Sequence, residues 1–120
     1  AKGEYIEGLK EGEWFYEVGD HREVGEYFEG ERVGEWVHTY TDIDQTQFRG
    51  SYETGKENGF HIYFYPNGQV KKRGNYSFGL HIGIWEYYTE EGLRYLTIEY
   101  NKSGEEIRYN GVKIKDGRRR

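Results

Sequence analysis

The sequence predicts an all-β protein, an elongated single-layer array of antiparallel β-hairpins with a period of about 24 residues. The first observation is a tyrosine that recurs at intervals of 22, 25, 24 and 24 residues, at Tyr5, Tyr27, Tyr52, Tyr76 and Tyr100. A period of this length is typical of stacked repeats, in which each unit packs only against its neighbours. The second observation is that large side chains alternate with a period of two inside each unit, which is the pattern of a strand.

The third observation is the set of residues that accompanies each tyrosine at nearly fixed spacing. The copies are Gly3, Tyr5, Gly8, Gly12, Trp14; Gly25, Tyr27, Gly30, Gly34, Trp36; Gly50, Tyr52, Gly55, Gly59, His61; and Gly74, Tyr76, Gly79, Gly83, Trp85. A degenerate fifth copy begins near Ile98. We therefore predict one repeat domain over residues 1–115.

The composition favours a thin core made of aromatic side chains. A mean hydropathy of -1.08 and only 34% hydrophobic residues would favour disorder, but aromatic residues make up 18% of the chain and recur in register with the glycines. A glycine on a strand face leaves a hole that a ring from the adjacent strand can cover. We therefore expect each ring of the repeat to pack on a glycine.

Each unit is predicted to contain two strands. The first strand ends at a Gly-x-Tyr pair such as Gly25 and Tyr27, and the second begins at the Trp position. The next two glycines, Gly30 and Gly34 in this unit, are predicted to form the hairpin connection, because a positive φ there favours glycine. Units are joined by tight turns at 18–20, 65–68 and 90–92 and by a longer loop at 41–46.

The C-terminal segment departs from the repeat. Asn110-Gly111 lies between alternating residues over 107–114, and this dipeptide is a strong signal for a two-residue hairpin. We interpret this hairpin as a cap, because terminal repeats usually differ from internal ones. Residues 116–120 contain no apolar side chain and are predicted to form a basic tail.

The string Gly-x-Tyr-x-x-Gly-x-x-x-Gly-x-Trp, read from Gly25 to Trp36, resembles the MORN repeat. The unit that ends in Tyr65-Pro66-Asn67-Gly68 is similar to the bacterial variant found in the YwqK-like antitoxin family. The resemblance covers residues 3 to about 100. It implies a run of β-hairpins with a grooved aromatic face, in a protein that acts in assembly, in membrane-proximal placement or as an antitoxin. His61 in a Trp position and His38 in a Tyr position depart from the pattern.

No catalytic, cofactor-binding or metal-binding residues are predicted. No serine lies in a Gly-x-Ser-x-Gly elbow, and no phosphate-binding glycine loop is present. His38 and His61 occupy the same face in consecutive units and could be neighbours, whereas His21 and His81 are predicted to lie in turns. Two histidines without a third ligand make a poor zinc site, and the chain has no cysteine. The sequence therefore favours a protein that is not an enzyme.

Three functions are consistent with these features. The first is a repeat scaffold that binds another protein, or a second copy of itself, through the aromatic groove or an edge strand. The alternatives are an antitoxin-like regulatory partner and a module that binds carbohydrate or the cell-envelope surface. The candidate binding residues are His38, His61, Tyr40, Tyr63, Tyr65 and Tyr87.

Charge and hydropathy narrow the class of partner. A pI of about 5.4 argues against nucleic acid. No apolar run approaches the ~20 residues of a membrane-spanning helix, so any membrane contact is predicted to be peripheral. Residues 1–60 carry a net charge of -9 and residues 61–120 a net charge of +4, which either orients a partner or is a drift of surface charge. Since the chain begins without methionine, we expect an envelope, periplasmic or secreted location after leader removal, with the cytoplasm as the alternative.

Overall fold

Eleven strands are formed by residues 2–113, which are the residues that the computed structural model describes. The strands are β1 Lys2–Ile6, β2 Leu9–Val18, β3 His21–Phe28, β4 Glu31–Tyr40, β5 Thr46–Glu53, β6 Lys56–Phe64, β7 Val70–Ser77, β8 Leu80–Tyr88, β9 Arg94–Tyr100, β10 Glu106–Tyr109 and β11 Val112–Lys113.

The strands form one open antiparallel sheet in which each strand pairs with the strands before and after it in the chain. The sheet measures 51 × 32 × 18 Å, so it is elongated and thin. The predicted all-β, single-layer array of hairpins is confirmed. Within the described residues, no helix has the length and apolar character needed to cross a membrane.

The hairpin within each unit turns on two residues. In the second unit these are Glu29 and Gly30, with φ angles of 50° and 83°. Positive φ at both positions defines the type I′ turn, whose twist matches that of the flanking strands. The backbone N–H of Gly30 also donates a hydrogen bond of 2.9 Å to the carbonyl of Lys10 in β2, so the turn docks on the preceding unit. The equivalent turns are Glu7-Gly8, Thr54-Gly55, Phe78-Gly79 and Asn110-Gly111.

The predicted hairpin connection was too long. The turn ends at Gly30 and β4 begins at Glu31, so Gly34 lies inside a strand instead of in the connection. Gly34 does adopt the expected positive φ, 66°, but it does so within a bulge of β4. The alternation of side chains could not reveal this bulge, because the bulge is defined by the hydrogen-bond register between strands.

The bulge moves the Trp ring onto the neighbouring glycine. Between the pairs Val24–Val37 and Glu26–Val33, three residues of β4 stand opposite the single residue Gly25. The extra residues bend β4, and the ring of Trp36 then lies over Gly25. The same insertion of three residues opposite one glycine recurs in β2, opposite Gly3, and in β8, opposite Gly74. In β6 the three residues stand opposite Ser51, and His61 pairs directly with Gly50.

Each ring also satisfies a carbonyl beside the glycine that it covers. The Nε1–H of Trp36 donates to the carbonyl of Glu26 at 3.1 Å. The other three contacts are Trp14 to Glu4 at 3.1 Å, His61 to Ser51 at 2.7 Å and Trp85 to Asn75 at 2.9 Å. Trp36, His61 and Trp85 are completely buried. The predicted pairing of ring and glycine is confirmed, and these pairs form a row through the core, which also contains Tyr27, Phe48 and Ile98.

The C-terminal hairpin agrees with its prediction. Strands β10 and β11 pair around Asn110-Gly111, with Tyr109 opposite Val112. Ile98 takes the glycine position of the fifth unit and lies opposite Trp85. The tail predicted at 116–120 lies outside the described residues.

A methyl group added at Gly25 would overlap the five-membered ring of the Trp36 indole. We predict that Gly25→Ala lowers the free energy of unfolding by about 3 kcal/mol, because neither the ring nor the bulged backbone can withdraw. Urea denaturation measures this value, with the exposed neighbour variant Glu26→Ala as the control. Equal losses in the two variants would contradict the assigned packing.

Candidate functional site

A row of side chains crosses the aromatic face beside the covering rings. Its members are successive partners across the sheet, Tyr16, Glu23, His38, Phe48, Tyr63, Lys72 and Tyr87. We refer to it as the cross-strand row. The strands that carry the covering rings contribute Tyr, His, Tyr and Tyr to the row, whereas the strands between them contribute Glu, Phe and Lys. The units therefore differ from one another more in this row than in their cores.

A cleft of about 230 Å³ opens over the middle of the cross-strand row. It lies over β4, β5 and β6 and the start of β7, and we call it the aromatic cleft. Its lining residues are His38, Tyr40, Gln47, Phe48, Tyr52, Tyr63, Phe64 and Lys71. Three of the six binding residues predicted from the sequence, His38, Tyr40 and Tyr63, are thus brought together.

Sequence reasoning missed the polar residues Gln47 and Lys71 of this cleft. Each is the extra residue of a β-bulge: His38 pairs with Phe48 but Thr39 pairs with Thr46, which leaves Gln47 without an opposite residue. Lys71 likewise has no opposite residue, because Val70 pairs with Phe64 and Lys72 pairs with Tyr63. A bulge redirects a side chain from the face that alternation assigns to it. The only sequence signal was the run of polar residues around these positions.

The hydroxyl groups of two predicted binding residues each form a hydrogen bond to the next unit of the repeat. Tyr40 donates to the carbonyl of Phe64 at 3.0 Å, and Tyr65 donates to the carbonyl of Tyr88 at 2.8 Å. Tyr65 is not among the residues that line the aromatic cleft. Tyr87 lies further along the cross-strand row, opposite Lys72, and is also outside the cleft.

The donor groups at the cleft favour a ligand with hydrogen-bond acceptors. Burial raises the pKa of the Tyr63 hydroxyl, and the neighbouring Tyr76 adds to this shift, so Tyr63 remains a donor. Burial lowers the pKa of Lys72, whose Nζ lies 4.6 Å from the centroid of the Tyr63 ring. Lys71 lines the cleft with an exposed side chain. Carboxylates and backbone carbonyls are the groups that such donors bind.

His61 lies in the core rather than in the cleft. Its Nε2 is 2.7 Å from the carbonyl of Ser51, so Nε2 carries the proton and Nδ1 is a buried acceptor without a hydrogen-bond partner. It thereby replaces the Trp of the other units. The space left by the smaller ring is filled by Phe48, whose ring, like that of His61, lies against Gly50.

The predicted positions of the other histidines were partly wrong. The rings of His38 and His61 both contact Phe48, which lies between them, at centroid distances of 4.7 and 5.3 Å. His21 and His81 lie in strands β3 and β8, not in turns. The prediction failed for His21 because Gly19 and Asp20 complete the turn, and the ladder of β3 with β2 and β4 begins at the next residue.

His38 stacks on His21, with ring centroids 5.0 Å apart and planes inclined by 18°. The Glu23 carboxylate lies beside both rings: its Oε2 is 2.8 Å from Nε2 of His21, and its Oε1 is 3.7 Å from Nε2 of His38. Arg32 contacts the same Oε1 at 3.2 Å. The three residues His21, Glu23 and His38 therefore form one cluster beside the cleft, and we call it the His–Glu cluster.

The members of the His–Glu cluster have shifted pKa values. Burial lowers the pKa of His38 to about 4. Burial alone would also lower the pKa of His21, but its hydrogen bonds to Glu23 and Asp20 leave it raised. Burial alone would raise the pKa of Glu23, but the hydrogen bond from His21 and the charges of His38 and Arg32 leave it lowered. At neutral pH the cluster therefore contains a carboxylate beside an uncharged His38.

No protein-family model matches the chain, and the search of curated proteins found no match. The likeness to MORN repeats consequently depends on the pattern of glycines and rings alone. It stays a prediction.

Burial of His61 makes stability depend on pH. Burial lowers its pKa from 6.5, although its bond to the Ser51 carbonyl and the charge of Glu57 act in the opposite direction. The unfolded chain therefore binds a proton near pH 6.5 that the folded chain does not, and stability is lost as the pH falls below 6.5. We predict that His61→Gln flattens the slope of unfolding free energy between pH 7 and 5 by up to about 1.4 kcal/mol per pH unit. Denaturation series at several pH values measure this slope, and a slope equal to that of the wild type would refute the assignment.

Substitutions at Phe48 and His61 are predicted to have coupled effects on the free energy of unfolding. His61→Trp introduces the ring of the other units, but Phe48 occupies the space that this ring needs, so we expect a loss of about 2 kcal/mol. Phe48→Leu supplies the residue found at the equivalent position 96, and in the double variant it should recover at least about 1 kcal/mol. A double-mutant cycle by urea denaturation measures the coupling. Strictly additive effects would show that the two rings do not share the site.

Proposed function

We propose that this protein is a non-enzymatic repeat scaffold that binds another protein through the aromatic cleft. The observation that carries the proposal is the cleft itself, an open depression lined by aromatic rings and bordered by Gln47 and Lys71. Tyrosine and other aromatic residues are enriched where proteins bind one another, because each supplies a large apolar area together with a polar tip. The resemblance to MORN repeats supports the same function.

The chemistry of the cleft indicates the kind of surface that it binds. Phe48 and Tyr63 provide an apolar floor, and the Lys71 ammonium provides a positive rim. A volume of about 230 Å³ is suited to one or two side chains. We therefore propose a partner that inserts an apolar side chain next to a carboxylate.

The edge of the sheet is a second surface for the same function. All five residues of β1 are exposed, and Tyr5 and Ile6 keep 63% and 57% of their surface accessible. In the described part of the chain, the outer side of β1 has no paired strand. An extended segment of a partner can add to such an edge through backbone hydrogen bonds.

The two alternatives use the same cleft in different ways. An antitoxin-like regulator is a narrower form of the proposal, in which the partner is a toxic protein. A carbohydrate module would instead stack a sugar ring on Tyr40 or Tyr63. These possibilities differ in what the cleft binds, and one cross-linking experiment distinguishes them.

We predict that a photoreactive phenylalanine analogue at position 71, in the cleft, forms one discrete cross-linked product in the native cell. The same analogue at position 49, an exposed site next to Phe48 and on the opposite face, should form none. With the captured protein purified, Lys71→Glu should weaken its binding at least about tenfold, which is 1.4 kcal/mol. Titration calorimetry measures this change, and circular dichroism confirms that the variant is folded.

Equal cross-linking from both positions, or unchanged affinity of Lys71→Glu, would contradict binding at the cleft. Binding of a glycan that is abolished by Tyr63→Ala, without a protein product, would assign the cleft to carbohydrate. If the captured protein arrests growth when produced alone and is harmless with this chain, the antitoxin form of the proposal is supported.

A further inference from the structure

The His–Glu cluster brings together three side chains that carry metal-ligating atoms. One nitrogen from His21, one from His38 and one carboxylate oxygen from Glu23 lie within 4.8 Å of one another. Two of them come from β3 and the third from β4, so a rigid pair of adjacent strands positions the set. Ligands held on regular strands are placed more accurately than ligands on loops.

The distances require only small side-chain movements to reach a metal geometry. Zinc–ligand bonds of 2.0–2.2 Å in a tetrahedron place the ligand atoms about 3.3 Å apart. Nε2 of His21 is 2.8 Å from Oε2 of Glu23, and Nε2 of His38 is 3.7 Å from Oε1 of the same carboxylate. The terminal torsion of histidine has a broad distribution, so both rings can rotate toward a common point without leaving a preferred rotamer.

The surroundings of the cluster match those of a metal ligand set. Nδ1 of His21 is 3.1 Å from Oδ1 of Asp20, and a carboxylate in this position orients a ligating histidine and fixes its tautomer. Nε2 of His38 is buried and has no hydrogen-bond partner. A metal ion would satisfy this nitrogen, which the protein alone leaves unpaired.

The cluster is confined to one unit of the repeat. In the other units the position of His38 holds Tyr16, Tyr63 or Tyr87. The position of Glu23 holds Phe48, Lys72 or Leu96, and that of His21 holds Thr46, Val70 or Arg94. The fold of a unit therefore requires none of the three ligands, and all three occur together at one place.

We propose that His21, Glu23 and His38 bind one zinc-class divalent ion with a fourth coordination position left open. Two histidines and one carboxylate are a ligand set found for zinc in sites that keep a position for water or another ligand. The three side chains retain 19%, 12% and 18% of their surface, so the open position is reachable from solvent. Arg32 contacts Oε1 of Glu23 at 3.2 Å. This site goes beyond the proposed function and does not depend on a protein partner.

The expectation of no metal site followed from the apparent lack of a third ligand. Phe48 lies between His38 and His61, and His38 instead contacts His21 and Glu23. The expectation that His38 has no third ligand nearby was therefore wrong, because Glu23 and His21 supply two further ligand atoms. His38 belongs to both the cluster and the lining of the aromatic cleft, so an ion bound here would lie beside the proposed protein-binding surface.

The experiment is a titration of the untagged, chelator-treated full chain with ZnCl2 by isothermal calorimetry. We expect one saturable ion per chain. His38→Tyr restores the residue of the other units and so preserves the fold, and it should weaken zinc binding at least tenfold. Glu23→Gln should do the same. The control is His81→Gln, which removes a histidine of the same face that contacts Tyr76 and Tyr100 and should leave affinity unchanged.

Two further readouts separate ligation from loss of fold. Co²⁺ in place of Zn²⁺ should give visible d–d absorption in the wild type and in His81→Gln but not in His38→Tyr. Saturating zinc should raise Tm in the wild type and leave Tm unchanged in the ligand variants, because an ion that binds only the folded state stabilises it. Mg²⁺, which prefers oxygen ligands, should have no effect.

Several results would overturn the proposal. Absence of saturable zinc binding to the wild type would do so, as would unchanged affinity in His38→Tyr or Glu23→Gln. Loss of binding in His81→Gln equal to that in His38→Tyr would place the ion elsewhere on the chain. Failure of this test would leave the aromatic cleft and its cross-linking experiment unaffected.

Discussion

The whole structure depends on one contact, an aromatic ring lying over a glycine of the adjacent strand. The ring buries its own apolar surface, shields the bare backbone, and donates its N–H to the carbonyl next to that glycine, as Trp36 does at Gly25 and Glu26. A single sheet has no second layer to cover its face, so the covering must come from its own side chains. The bulge at Gly34 makes this possible, because it supplies the extra residues that bring the ring back over the glycine.

The third unit shows what this contact requires. His61 replaces Trp and keeps the N–H donor at 2.7 Å from the Ser51 carbonyl, but it provides less apolar surface. Phe48 fills the remaining space over Gly50. Hydrogen bonding and coverage can therefore be supplied by two residues instead of one, provided that they change together. The consequence is a buried imidazole whose pKa is lowered, so the free energy of unfolding decreases at acidic pH.

The aromatic cleft and the His–Glu cluster lie where the residues of the repeat vary from unit to unit. The covering rings and their glycines are occupied in the core, whereas the cross-strand row beside them can change from Tyr16 to His38 without loss of the unit. The aromatic cleft and the His–Glu cluster both lie on this row and share His38. An array of similar hairpin units thus acquires a local chemistry through a few side chains at one place, while the sheet supplies their fixed positions.

The sequence by itself determined the period, the hairpin as the unit, the pairing of rings with glycines and the Asn110-Gly111 hairpin. These are consequences of local chemistry: side-chain alternation, the need for positive φ and the space that glycine leaves. Only the tertiary structure decided which side chains meet. It placed Gln47 and Lys71 in the cleft and His21 against His38, because bulges and ladder boundaries depend on hydrogen bonds between strands. Those bonds involve backbone groups that every residue shares, so the order of side chains does not specify them.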